Sequence, residues 1–178
     1  MTDIRQVAIR YRLGLENAES LLRAADSLLA EGHTEPAVIE LAILDSPTMT
    51  EAGPLFERVC YELDVIIPTK DGAIDELLRC YLEAIATGKI PAFDGLSAMM
   101  REICFPYFEG DRCKRYVGDS RGMEQLSGDF WAYEDLTDRS RECSWDGKYG
   151  AEAIASWEQS VRQDARDWLA KHNHLPRE

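Results

Sequence analysis

No stretch of this chain approaches the roughly 18 consecutive apolar residues that a membrane-spanning helix needs. Its first residues, Met1-Thr2-Asp3-Ile4-Arg5, carry charge where a secretory leader needs an apolar run. The expectation is a cytoplasmic protein with no membrane association. Glycine and proline are scarce, 12 and 7 of 178 residues, which excludes collagen-like and low-complexity classes. The cysteines Cys60, Cys80, Cys104, Cys113 and Cys143 contain no C-x-x-C pair, so neither a zinc site nor a redox dithiol is indicated. Cys60, Cys80 and Cys104 fall beside or within apolar helical stripes, where a reduced cysteine packs as a small hydrophobe. Cations are also in short supply: 20 Lys and Arg against 33 Asp and Glu leave a formal charge of −13. That field repels phosphate backbones and anionic lipid, so a nucleic-acid role is not expected, and it favours a cationic partner.

What the chain has in quantity is helical periodicity, with a length suited to one domain. Ile4, Val7, Ala8 and Tyr11 form a first stripe closed by Gly14, and Leu21, Leu22, Ala25, Leu28 and Leu29 a second closed by Gly32. Thr34 is placed to cap a third helix with Pro36 in its first turn and Val38, Leu41 and Ala42 facing inward. Thr48 with Glu51 fits a capping box before Leu55, Phe56, Val59, Cys60 and Leu63. Beyond Pro68, a helix opening near Asp71 carries Ile74, Leu77, Leu78, Tyr81, Leu82 and Ile85 and stops at Gly88. Asp94 is expected to cap the next, through Leu96, Met99, Met100, Ile103 and Cys104, and Pro106 to end it. A long C-terminal helix, about Tyr149 to Lys171, presents Ile154, Trp157, Val161 and Trp168 and is expected to fold back over the bundle. These elements predict an all-α single domain, a bundle of about six to eight helices over 1–178. Its parts would be a core over 1–105, an irregular crossover over about 106–148 and a C-terminal helix over 149–173. Within the crossover, one or two short helices, around Gly122 to Leu126 and Asp129 to Leu136, and a minor strand pair at Arg115 to Val117 are expected.

The charge is unevenly placed. From Ala24 to Glu57 there are seven carboxylates and no Lys or Arg. From Gly122 to Asp138 there are five more, again without a cation, interleaved with Phe130, Trp131 and Tyr133. Carboxylates without neighbouring cations steer a basic partner, and a partly exposed Trp or Tyr anchors it. The residues expected to touch such a partner are Asp129, Trp131, Tyr133, Glu134, Asp135 and Asp138, with Glu35, Glu40 and Asp45 as a second acidic surface. The bland alternative is that the acids keep the protein in solution while the aromatics plug a core edge. The basic residues Arg112, Lys114, Arg115 and Arg121 are interspersed with acids and read as internal ion-pair partners.

Motifs for chemistry are thin. Gly118-Asp119-Ser120-Arg121-Gly122 matches the G-x-S-x-G of a nucleophile elbow, with His172 or His174 downstream, but no buried strand delivers the serine to a strand-to-helix turn. His33-Thr34-Glu35 lacks the P-C-x-x-C that would complete a zinc deaminase site, and His33 after Gly32 reads as part of a helix C-cap. No Walker A, dinucleotide fingerprint or E-x-x-H pair is present. No catalytic residue, metal or cofactor is assigned.

The run from Ala24 through Glu31-Gly32-His33-Thr34-Glu35-Pro36 to Ala42, with the Leu55-Phe56 to Leu63 helix, resembles a group of small, mostly uncharacterised all-α proteins of bacteria. Some of these are assigned as toxin-immunity proteins encoded beside secreted toxins. The resemblance spans about Glu19 to Cys104 and implies a bacterial cytoplasmic helical domain without a known active site. The expected function is therefore that of an acidic protein-binding module, with an immunity or antitoxin-like inhibitor occluding the basic cleft of a nuclease-type toxin as its specific form. A small serine hydrolase using Ser120 with His174, or a helical scaffold with no cationic partner, are the alternatives.

Overall fold

The structure, a computed structural model, describes residues 3–108, 121–138 and 143–172. Among the described residues the chain is all-α apart from one pair of two-residue strands, and it divides into two compact units, with the boundary between Leu77 and Leu78 inside one helix.

The first unit contains α1 (Ile4–Arg12), α2 (Ala18–Ala30), α3 (Pro36–Ala42), α4 (Met49–Glu62) and the beginning of α5 (Lys70–Ala86). Polar side chains next to each apolar run fix where the helices start. The Asp3 carboxylate accepts the Arg5 N–H at 3.0 Å, and Asn17 and Ser20 take each other's backbone N–H at 2.9 and 3.0 Å. Glu51 reaches back to accept the Thr48 N–H at 2.9 Å and its hydroxyl at 2.8 Å, as the sequence predicted. The start of α3 differs by one residue: Glu35, not Thr34, is the N-cap, because Pro36 sits at the first helical position and its fixed φ sets the register there. Gly32 ends α2 at φ +97°, and His33 donates its N–H to the Leu28 carbonyl at 3.0 Å, the six-to-one bond of a Schellman turn. Helices α2, α3 and α4 bury Leu21, Leu28, Val38, Leu41, Phe56 and Val59 against one another. Tyr11 of α1 lays its ring on Phe56 at 5.1 Å and passes Gly53 so closely that an added Cβ would stand 3.0 Å from its hydroxyl.

The second unit contains the end of α5, then α6 (Ala92–Met99), a π-helical turn (Met100–Cys104), α7 (Phe105–Phe108), α8 (Glu124–Thr137), the strands β1 (Ser144–Trp145) and β2 (Lys148–Tyr149), and α9 (Gly150–Lys171). Pro91, not Asp94, is the N-cap of α6, and Asp94 lies in its first turn. Pro106 does not end the helical path. It stands second in α7, which continues directly from the π-helical turn, where Phe105 donates its N–H to the Met100 carbonyl, and the path runs on to Phe108. Only glycine fits at Gly95, where a Cβ would lie 2.5 Å from Ile85 Cγ1. The one or two short helices expected over the acidic aromatic segment are a single helix, α8. The antiparallel pair β1–β2 turns through Asp146 (φ 52°) and Gly147 (φ 71°), the two left-handed residues of a type I′ hairpin. The strand expected at Arg115 to Val117 lies outside the described residues. Helix α9 buries Ala153, Trp157, Val161, Ala165 and Trp168, one helical stripe packed on α6, α8 and the hairpin. Ile154 is only partly buried, since Ala153 takes the inward place. Among the described residues no helix is long and apolar enough to cross a membrane.

Candidate functional site

Helix α8 has two faces of different chemistry. Glu124, Gly128, Trp131, Asp135 and Asp138 follow one another at i, i+4, i+7, i+11 and i+14, a single stripe in which every residue is exposed. At its centre the Trp131 side chain is 51% exposed, the largest aromatic on the described surface of this unit. Its inner edge rests on Phe130 (5.0 Å, edge to face) and Phe105 (6.2 Å), which hold the ring without covering it. One turn before it, a Cβ on Gly128 would meet nothing within 4 Å, so the backbone beside the indole is open. Glu134, next to the stripe, is exposed and forms no ion pair among the described residues.

The opposite face carries Leu126, Ser127, Asp129 and Phe130 into the unit. Asp129 is 1% exposed. Its Oδ1 accepts from Gln125 Nε2 at 3.1 Å, its backbone carbonyl accepts the Trp157 indole N–H at 2.9 Å, and its Oδ2 meets no donor. The carboxyl of Asp164 on α9 lies beside it. Burial first, and the Asp164 charge second, push the Asp129 carboxyl from 3.8 up to about 7. Asp129 therefore keeps its proton up to near neutrality, because ionising it in a dry environment beside another carboxyl is costly. Gln125 and Asp164 also line a cleft of about 360 Å³ between α8 and the end of α9, walled further by Gly122, Glu124, Leu126, Asp167, Trp168, Lys171 and His172. The wall is braced: the His172 ring stacks on Trp168 at 4.1 Å, Trp168 donates its indole N–H to the Arg121 carbonyl at 2.9 Å, and Arg79 donates to the His172 carbonyl at 2.9 Å.

The residues expected to form one acidic face divide accordingly. Trp131, Glu134, Asp135 and Asp138 lie exposed together on α8. Asp129 does not join them, and its assignment to a docking surface is corrected: its helical position turns it inward, against Trp157. Tyr133 is half-buried, its ring stacked on Phe93 at 4.1 Å and tilted against Trp157 at 4.7 Å, so it serves packing more than contact. Of the second surface, which belongs to the first unit, Glu40 is gripped by Arg58 at 2.8 and 3.4 Å, and Glu35 faces His33 at 3.4 Å. Only Asp45 stays on an open loop, accepting from Ser46 Oγ at 3.2 Å. Ser120, His174 and the cations Arg112, Lys114 and Arg115 lie outside the described residues. His172 serves the wall just described. Cys60 and Cys104 are buried, and burial pushes both thiols up to about 12, which agrees with a packing role. Cys113 lies outside the described residues, and no group of three His, Cys, Asp or Glu side chains able to hold a metal occurs among those described.

Sequence reasoning missed Asp164, Gln125, Trp168 and His172 as a set. No local signal marks Asp164, since its importance arises only when α9 packs against α8. Compared with protein-family models, curated proteins and solved structures, the chain matches none of them.

Proposed function

We propose that this chain is a protein-binding module that docks a partner with a basic surface through the outer stripe of α8, in the manner of an immunity or antitoxin-like inhibitor. The single observation that carries the reading is the half-exposed indole of Trp131 at the middle of a stripe bounded by Glu124, Asp135 and Asp138. A rigid aromatic that already rests on Phe105 and Phe130 loses little freedom on binding, so most of its desolvation becomes affinity. Carboxylates at the rim steer a cationic partner and repel nucleic acid. An acidic face of this kind fills the phosphate-binding cleft of a nuclease by presenting carboxylates where phosphates would lie. In that form inhibition is occlusion, and no chemistry by this chain is required.

The test is a photo-crosslinking amino acid in place of Trp131 in the native host, followed by affinity measurements on the captured protein with wild-type chain and with Trp131→Ala. The reading expects a basic partner whose association slows as salt rises and whose affinity falls at least about thirtyfold in the variant. A captured protein with no basic face, bound equally well by both chains, would overturn it.

A further inference from the structure

We infer that the partner group seated on α8 is an arginine, its guanidinium stacked on the Trp131 indole and its N–H fork turned to the Glu134 carboxylate one helical turn on. This site is the docking stripe proposed above, so its arginine selectivity rests on that reading. The indole meets its neighbours at inclined angles only: Phe130 at 73° and Phe105 at 48°. Among the described residues no ring lies parallel to it, whereas Tyr133 and His172 in the same unit are each taken up by a stacked partner at 4.1 Å. With 51% of its side chain exposed, the indole has room for a planar group to stack. Helical side chains lean towards the N-terminus, so the indole leans over the turn that holds Gly128, where a Cβ would meet nothing within 4 Å. Glu134, three residues after Trp131, leans back towards the indole by the same rule, and it is exposed, with no ion pair among the described residues. Arg101, one turn before Phe105, has Glu102 at 4.0 Å as its ion-pair partner.

A flat ring with a carboxylate on the next turn, their Cβ atoms about 5–6 Å apart, selects between the two basic side chains. Guanidinium is planar, so when it lies on an indole all its N–H bonds stay in its own plane and point sideways, where the carboxylate stands. It is also weakly hydrated and gives up little on leaving water. Ammonium is compact and strongly hydrated, and in contact with a ring face it aims at the ring N–H donors that the carboxylate would otherwise take. A lysine can therefore satisfy the ring or the acid, and an arginine both. A neutral apolar segment would use the ring but strip water from Glu134 without replacing it. An anionic segment would meet Glu124, Glu134 and Asp135, all exposed on this side of α8.

The experiment titrates the whole protein at low salt with acetylated tetra-arginine amide, with tetralysine amide of equal charge and with tetra-citrulline amide of nearly equal shape. The Trp131 indole N–H is followed by NMR, assigned by difference from Trp131→Phe. The expected result is a saturable shift with the arginine peptide at an affinity about fivefold or more above that of the lysine peptide, and no saturation with citrulline. Trp131→Leu, which keeps an apolar side chain at an exposed position, should bring the arginine and lysine peptides within about twofold of each other. Glu134→Gln should weaken the arginine peptide about threefold or more. Equal affinity for the two charged peptides, with shifts at Trp131, would overturn the arginine assignment and leave a basic docking surface standing. An arginine preference that survives in Trp131→Leu would overturn it as well. If neither charged peptide moves the Trp131 resonance, both readings fail.

Discussion

Between Ala24 and Glu57 the chain carries seven carboxylates and no cation, and between Gly122 and Asp138 five and none, so in one dimension the two stretches look alike. In three dimensions the first is largely absorbed by its own unit. Glu40 is held by Arg58, Glu35 faces His33, Glu51 caps α4, and Glu57 accepts the Tyr11 phenol at 2.9 Å. Burial and that carboxylate push the phenol up to about 12. Arg58 stands one residue past the cation-free window, and Glu62 beyond it accepts the Ala37 N–H at 2.9 Å, closing the start of α3. The second stretch is divided by the helix it forms: Asp129 goes inside, and Glu124, Glu134, Asp135 and Asp138 are exposed on the side that carries Trp131. A charge run in a sequence therefore says little until helix phase and the nearest cation across the fold are known.

The largest expected effect tests whether Asp129 is held inside by α9. Trp157→Ala removes a fully buried indole and its bond to the Asp129 carbonyl, and should cost about 3–5 kcal/mol in urea unfolding. If the loss stays below about 1 kcal/mol, the inner face of α8 is not packed as described. Trp131→Ala sharpens the contrast with the outer face. It should weaken partner binding by about 2 kcal/mol or more while moving unfolding stability by less than about 1 kcal/mol. A variant that binds normally but unfolds easily would make Trp131 a core residue.

The third prediction concerns pH. The folded pKa of Asp129, about 7, lies above its ordinary 3.8, so the folded state keeps a proton that the unfolded chain has already released. The stability this proton contributes is fully present below about pH 4 and is lost as pH rises through about 7. Asp129→Asn supplies a permanent donor towards Asp164, so the variant should gain on wild type as pH rises from about 4 to about 8, read from thermal melts of both proteins. A constant difference across that range would show that the folded state does not hold a proton on Asp129. The smallest effects belong to the first stretch. Thr48→Ala should cost about 1 kcal/mol through the lost cap, and Arg58→Ala, an exposed partner of Glu40, should shift the melting midpoint less than Thr48→Ala does.

Much of the helical frame was legible because its signals are local. Gly14, Gly32 and Gly88 end helices at positive φ, Thr48 and Glu51 start one, and the α9 stripe spaces its tryptophans by helical turns. Asp146-Gly147 is equally local and went unread as a hairpin because the surrounding segment has no sustained alternation. Pro106 misled because a proline that ends a helix and one that a helical path carries through a preceding π-helical turn look the same in sequence. The site was half legible. Trp131 and its acids share a phase that the sequence displays, whereas the burial of Asp129 depends on Asp164 and Trp157, which only the packing of α9 brings near.

The claim on which the rest stands is that an exposed, negatively framed indole faces solvent at position 131. It is tested most directly by NMR relaxation of the Trp131 indole N–H, assigned by difference from Trp131→Phe, in the presence of a cationic and then an anionic nitroxide. The account predicts that the cationic probe broadens this resonance several times more strongly at low salt, with the two converging once the Debye length falls to about 3 Å near 1 M salt. Equal broadening at low salt, or no broadening by either probe, would contradict it.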